Sequence, residues 1–204
     1  MLYYSTIDQQ TLDLLKTIQS APFLFDMRLV GGTALALQLG HRKSIDIDLF
    51  GKFEADEYEL TKLLGTLGEL KILKKTNNIL ACIINGINVD IVNYHYPWLS
   101  DPVIESDIKL SSIDDIAAMK LAAVAGRGTK KDFIDIFFLL KDYSLEEMLG
   151  LYNQKFRDGD QFLVLKSLLY FDDANMDPSP DMIVDADWNE VMSEIKTIVQ
   201  DYIR

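Results

Sequence analysis

The chain has 204 residues, of which 49% are hydrophobic and 25% charged, with a formal net charge of −12; this is a folding composition with enough apolar material for a core, not that of a disordered chain. A chain this acidic does not attract nucleic acid through its overall field, so any contact with RNA or a nucleotide must rest on a local basic patch or on metal ions. No apolar run reaches the roughly 18 residues of a membrane span, and the N-terminus lacks a signal peptide's basic and apolar regions, which predicts a cytoplasmic protein that does not enter the membrane. The lone Cys82 excludes an intrachain disulfide, and with His41 and His95 it gives no zinc spacing, so it reads as a small core residue.

Apolar residues at Ile7, Leu12, Leu14, Leu15 and Ile18 predict a helix from about Thr6 to Ser20. Phe23 to Val30 reads as a short strand stopped by Gly31-Gly32, and Thr33 to Gly40 as a short helix. Lys43 to Phe50 alternates, with Ile45, Ile47 and Leu49 on one side and Ser44, Asp46 and Asp48 on the other, the pattern of a half-buried strand. A helical stripe from Ala55 to Leu67 leads to a strand at Leu70 to Lys74. Two apolar runs, Ile79 to Ile84 and Ile87 to Val92, flank Asn85-Gly86, which predicts a hairpin with a type I′ turn and sets Ala81 opposite Asp90.

Beyond Pro102 no further strand is predicted. Ser111-Ser112 with Asp114 and Asp115 opens a helix running to about Ala125, and Gly126 to Lys131 breaks it. Further helices are expected at Asp132 to Leu140, Leu145 to Phe156, Gln161 to Leu169 and Asp187 to Ile203, with a loop over Asp172 to Pro180. The predicted organisation is an α/β domain over residues 1–110 and a helical domain over residues 111–204 packed against it.

Asp46-Ile47-Asp48 places two carboxylates on one face of one strand, about 7 Å apart. They repel unless a cation lies between them, and Mg²⁺ suits, because it takes carboxylate oxygens and fills its shell with water and phosphate. Asp90 is the natural third acid, since an ionised carboxylate in a mostly apolar strand needs a cation, a donor or water. Gly31 and Gly32 precede the acids at a strand-to-helix turn, where backbone N–H groups can hold a triphosphate, and Thr33 adds a hydroxyl. Alone, Gly-Gly is a turn and Asp-x-Asp a solvated edge; it is their order, followed by a lone Asp on a later strand, that points to phosphoryl chemistry.

That order is found in the polymerase-β-like nucleotidyltransferases, and the stretch from Gly31 to Phe50 resembles the signature of the AbiEii/AbiGii toxin family, with Asp90 matching the third acid. Asp115 to Ala123 and Arg127 to Asp135 are similar to later motifs of that family. The resemblance implies an α+β fold of the polymerase-β-like type, a small mixed sheet flanked by helices and followed by a C-terminal helical bundle. It implies Mg²⁺ or Mn²⁺ at Asp46, Asp48 and Asp90, and a nucleoside triphosphate held at Gly31, Gly32 and Thr33 with support from Arg42 and Ser44. By the same likeness Lys120 contacts phosphates and Asp132 or Asp135 sits beside the pocket; the charges agree in part, since Lys120, Arg127, Lys130 and Lys131 are the densest basic group in an acidic chain and flank a turn able to fold over the carboxylates.

The expected reaction is transfer of a nucleotidyl group to a hydroxyl of RNA, such as a tRNA end, or of protein, by a toxin that a partner antitoxin blocks. A small-molecule acceptor, as in antibiotic-modifying enzymes, and a non-catalytic nucleotide- or partner-binding module remain alternatives. For single residues, other readings stay open: Lys120 as a solvated lysine, Asp132 as an N-terminal helix acid, Asp135 as a partner of Arg127 or a lysine, and Arg42 as a partner of Asp46. His41 and His95 receive no catalytic role, and Phe133, Phe137 and Phe138 are expected in the core.

Overall fold

The computed structural model describes residues 1–24, 26–53 and 57–204. Residues 1–39, 44–95 and 102–111 form one compact unit, and residues 40–43, 96–101 and 112–204 form a second.

The first unit begins with α1 (Gln9–Gln19), whose N-terminus is capped by Asp8 accepting from the Thr11 amide at 2.8 Å. There follow β1 (Arg28–Leu29), α2 (Gly31–Leu39), β2 (Ile47–Gly51), α3 (Glu57–Gly65), β3 (Leu70–Lys75), β4 (Ile79–Ile84), β5 (Ile87–Asn93), β6 (Val103–Glu105) and β7 (Ile108–Leu110). The strands form one mixed sheet in the order β3-β4-β5-β2-β1-β7-β6. β2 runs parallel to β5, β1 runs parallel to β7, and the remaining pairs are antiparallel. Ile47, Leu49, Leu80, Cys82, Ile84, Val89 and Ile91 are all buried, so one face of the sheet is core, Cys82 included.

The β4–β5 hairpin has the predicted register, with Ala81 opposite Asp90 and both turn residues at positive φ, Asn85 at 50° and Gly86 at 85°. Four expectations need correction. The predicted strand at Phe23 to Val30 shrinks to Arg28–Leu29, with a 3-10 turn over Pro22–Leu24 and Phe25 outside the described residues. The strand expected from Lys43 starts only at Ile47, because the Ser44 amide donates to the Thr6 carbonyl rather than to a ladder, and Ile45 is accordingly 59% exposed. Gly31 and Gly32 are the first residues of α2 rather than a turn before it. Strands do continue past Pro102: β6 and β7 form a second hairpin across Ser106 and Asp107, at φ 51° and 66°, and β7 pairs with β1. The predicted helix start at Ala55 lies outside the described residues.

The second unit is helical: α4 (Ile113–Gly126), α5 (Lys130–Leu139), α6 (Leu145–Lys155), α7 (Gln161–Ser167), α8 (Asp172–Met176) and α9 (Trp188–Ile203). α4 is buried on most of its circumference, and Ala117 and Ala118 allow close approach of its neighbours α5, α6 and α7. Ser112 caps α4, Ser144 and Glu147 make a capping box at α6, and Asp187 caps α9. α5 starts two residues earlier than predicted, which brings Lys130 into its first turn, and α8 falls within the predicted loop. Phe133, Phe137 and Phe138 are buried, as expected.

Candidate active site

Asp48 and Asp90 lie on the face of the sheet opposite its core. Asp48 on β2 is directly paired with Asp90 on β5 in a parallel ladder, so their side chains leave neighbouring strands, about 4.8 Å apart, on the same side. Both are half-buried, whereas the residues flanking them in sequence, Ile47, Leu49, Val89 and Ile91, are buried in the core. The apolar alternation that anchors each strand is therefore what turns each carboxylate outward.

Asp48 also lies against the start of α2. A Cβ added to Gly31 would meet Asp48 Oδ2 at 2.5 Å, and Gly31 has φ +67°, so glycine is required here for both space and backbone conformation. The Val30 amide donates to the Asp48 carbonyl at 2.9 Å, which locks the end of β1 onto β2. The first amides of α2 have no acceptor within the helix and lie at its positive end. A carboxylate beside them is at once stabilised by that end and placed where a phosphate would approach.

Asp46 sits just before β2. Its carbonyl accepts from Thr33 Oγ1 at 2.5 Å, and the Ser44 hydroxyl lies 2.8 Å from Thr33 Oγ1; since the carbonyl can only accept and takes the one Thr33 hydroxyl proton, Ser44 donates to Thr33. Thr33 is buried, so its hydroxyl ties α2 to the approach of β2. Asn88 Nδ2 donates to Asp46 Oδ1 at 3.0 Å. Asn88 did not stand out in the sequence, yet it lies two residues before Asp90 on one strand, a spacing that puts both on one face. Among the described residues no three acids, histidines or cysteines converge tightly enough to enclose a cation. Asp48 and Asp90 are adjacent, however, and one or two carboxylates suffice for Mg²⁺ when phosphate and water complete its shell. The donor set fits a divalent ion shared with a nucleotide.

Four other expected site residues meet in a buried ion network of the second unit. Asp135 on α5 is fully buried and accepts from Arg42 Nε at 2.7 Å, Arg42 Nη2 at 2.9 Å and His41 Nε2 at 2.8 Å, and it pairs with Lys120 Nζ at 2.5 Å. Asp132, one turn earlier, takes Lys120 Nζ at 2.9 Å, Arg127 Nε at 2.8 Å and Thr129 Oγ1 at 2.6 Å. Burial is the largest single influence and pushes both carboxyls up, but the Lys120 ammonium together with Arg127 and Thr129 at Asp132, and with Arg42 and His41 at Asp135, outweighs it and holds both well below the usual carboxylate range. Arg42 thus pairs with Asp135, and Asp135 pairs with Lys120 and Arg42 and not with Arg127. Lys120 has three N–H donors, of which two point to Asp132 and Asp135. Lys130 is nearly buried, donating to the Asp177 carbonyl at 2.6 Å with its ammonium 5.3 Å from the Trp188 ring centroid.

The family described as "Nucleotidyl transferase AbiEii toxin, Type IV TA system" matches over residues 13–113 and 87–202. The chain belongs to the AbiEii nucleotidyltransferase family. An uncharacterized protein of Aquifex aeolicus (strain VF5) is 34% identical to it over 197 residues, 94% of this chain and 95% of that relative. Among solved structures it is similar to the nucleotidyltransferase toxin MenT4 of Mycobacterium tuberculosis H37Rv, at TM-score 0.56 and 14% identity, covering 95% of this chain and 82% of that one. It is also similar to ANT(2")-Ia in complex with adenylyl-2"-tobramycin, at TM-score 0.53 and 19% identity over 74% of this chain and 97% of that one. At such identities these structures speak for the fold, and the predicted polymerase-β-like α+β architecture is the one observed. An AbiEii protein is a nucleotidyltransferase enzyme acting with a nucleoside triphosphate. No helix among the described residues is long and apolar enough to cross a membrane.

Proposed function

We propose that this AbiEii protein transfers a nucleoside monophosphate to an acceptor hydroxyl at the face bearing Asp46, Asp48 and Asp90, with Mg²⁺ or Mn²⁺ as cofactor. The observation that carries the reading is the pairing of Asp48 with Asp90 directly beside Gly31 at the start of α2. The divalent ion supplies charge neutralisation of the triphosphate and of the leaving pyrophosphate. Gly31 and Gly32 lay the triphosphate against the first amides of α2. Thr33 and Ser44 fix the approach of β2, and Asn88 orients Asp46. The acceptor oxygen attacks the α-phosphorus, a P–O bond forms, the bond to the bridging oxygen breaks and pyrophosphate leaves. Asp90 receives the hydroxyl proton.

The network of Arg42, Lys120, Asp132 and Asp135 ties α4, α5 and the segment 40–43 together. Lys130 anchors α5 to Asp177. The acceptor in this reading is RNA or a protein hydroxyl, and the protein acts in the cytoplasm as a toxin held in check by an antitoxin, in keeping with the family's description. Titration calorimetry with each nucleoside triphosphate, with and without Mg²⁺, tests the site. Binding that needs Mg²⁺ and disappears in Asp48→Asn is expected, and equal binding by that variant would overturn the assignment.

A further inference from the structure

The face that carries the acids continues to the edge of the sheet. Residues paired across a ladder project to the same side, and Asp48 pairs with Asp90, Asp90 with Ala81, and Ala81 with Lys74, one row across four strands. The next row joins Asn88, Ile83 and Lys71. Strand spacing puts Lys74 about 14 Å from Asp48, three strands away. Ala81 and Ile83, between them, are half-buried, and Lys71 and Lys74 are exposed on β3, the last strand of the sheet among the described residues.

The position of Lys74 depends on a single irregularity. From Leu70 to Ile72 the pairing with β4 is regular, and continued regularly it would set Leu73 opposite Ala81 and turn Lys74 to the core side, opposite Leu80. The register shifts between Ile72 and Lys74, so Lys74 takes the place opposite Ala81 and faces the way the acids face. Residues 70–89 hold Lys71, Lys74 and Lys75 and no acidic residue, in a chain of net charge −12.

We infer that Lys71 and Lys74 form an anion-binding subsite for the phosphates that precede the terminal hydroxyl of a single-stranded RNA acceptor, the RNA itself being the acceptor expected from the family likeness. The inference rests on the nucleotidyl-transfer reading. In an in-line displacement the attacking and leaving groups lie on opposite sides of the α-phosphorus. The first turn of α2, which takes the triphosphate, lies on the β1 side of Asp48, which leaves the Asp90 side to the acceptor. A terminal hydroxyl at Asp90 then has its preceding phosphates within reach of Lys74 and Lys71, and its base lies over Ala81 and Ile83. An uncharged small acceptor has no use for the two lysines, whose bland role would be to deter edge-to-edge pairing of β3.

Glutamate at both positions preserves that bland role and reverses the charge. The full chain, as wild type, as Lys71→Glu/Lys74→Glu, as Lys71→Gln/Lys74→Gln and as Lys71→Arg/Lys74→Arg, is titrated against a fluorescein-labelled single-stranded RNA of mixed sequence over a KCl series, with Mg²⁺-nucleoside triphosphate binding followed by calorimetry in parallel. Each phosphate contact contributes about 0.7 to the slope of log Kd against log salt, so the Glu and Gln variants should lose about 1.4 of slope and bind at least tenfold more weakly at low salt. The Arg variant should keep both, and all four should bind the triphosphate alike. RNA binding by the Glu and Gln variants equal to wild type overturns the subsite. A wild type that binds the triphosphate and no RNA also overturns it while the transferase reading stands. RNA binding that depends on the lysines, in a protein that binds no triphosphate, supports the subsite and counts against the transferase reading alone.

Discussion

Replacing Asp135 by asparagine removes one charge from the buried network while keeping nearly the same volume. In the native structure its carboxylate faces Arg42 through two hydrogen bonds, His41 through one, and Lys120 through an ion pair, with no exposure to solvent. Asparagine leaves the buried Arg42 and Lys120 without that negative charge and turns an amide N–H toward a donor. Removing one partner of a buried ion pair costs roughly 3–5 kcal/mol. Lys120 keeps Asp132, which favours the lower half of that range. For a chain of this size, at roughly 2–4 °C per kcal/mol, the melting temperature should fall by roughly 6–16 °C. Thermal denaturation by circular dichroism, with urea midpoints as a second measure, reads the change. A loss below about 1 kcal/mol would mean that the network holds nothing together. Arg127→Ala is the matched control: its side chain is 60% exposed, so it should cost no more than about 1 kcal/mol.

The same network sets an acid limit. Asp132 and Asp135 titrate below their ordinary value of 3.8 in the folded protein, so the stability they contribute is complete above about pH 4 and is lost as pH falls from there toward the folded-state values; urea midpoints should drop over that interval in the wild type and less so in Asp135→Asn. Gly31→Ala places a Cβ against Asp48 Oδ2 and forces a left-handed backbone on alanine, at a cost of about 1–2 kcal/mol; Mg²⁺-dependent nucleotide binding should fall far more than stability, and normal binding would contradict the placement of Asp48. Asn88→Ala removes the Asn88 donor from Asp46 Oδ1 and should weaken Mg²⁺ activation roughly tenfold or more with little change in melting temperature; an unchanged Mg²⁺ titration would remove Asn88 from the site.

Local signals made part of this structure legible in the sequence. Asn85-Gly86 between two uninterrupted apolar runs fixed the β4–β5 register, and with it the neighbour of Asp90, because a two-residue turn leaves only one pairing. Asp48 and Asp90 stand out as acids in apolar strands. What stayed hidden depends on distant partners. β6 and β7 are three residues each, join across Ser106-Asp107 instead of a glycine turn, and find their place through β1, some eighty residues earlier in the chain. Asp135 lies 93 residues from Arg42, and no local pattern announces that pair. The shift at Leu73 is a single-residue irregularity with no glycine to mark it, yet it decides which way Lys74 faces.

The central claim is nucleotidyl transfer on the Asp48–Asp90 face. The most direct test incubates wild-type protein and Asp48→Asn with each α-³²P-labelled nucleoside triphosphate, Mg²⁺ and total cell extract, then separates RNA, protein and small molecules. Label should appear on one acceptor class with wild type, only when Mg²⁺ is present, and not with Asp48→Asn, whose melting temperature should match wild type. Equal labelling by the folded Asp48→Asn variant, or none by wild type with any of the four nucleotides, would contradict the account.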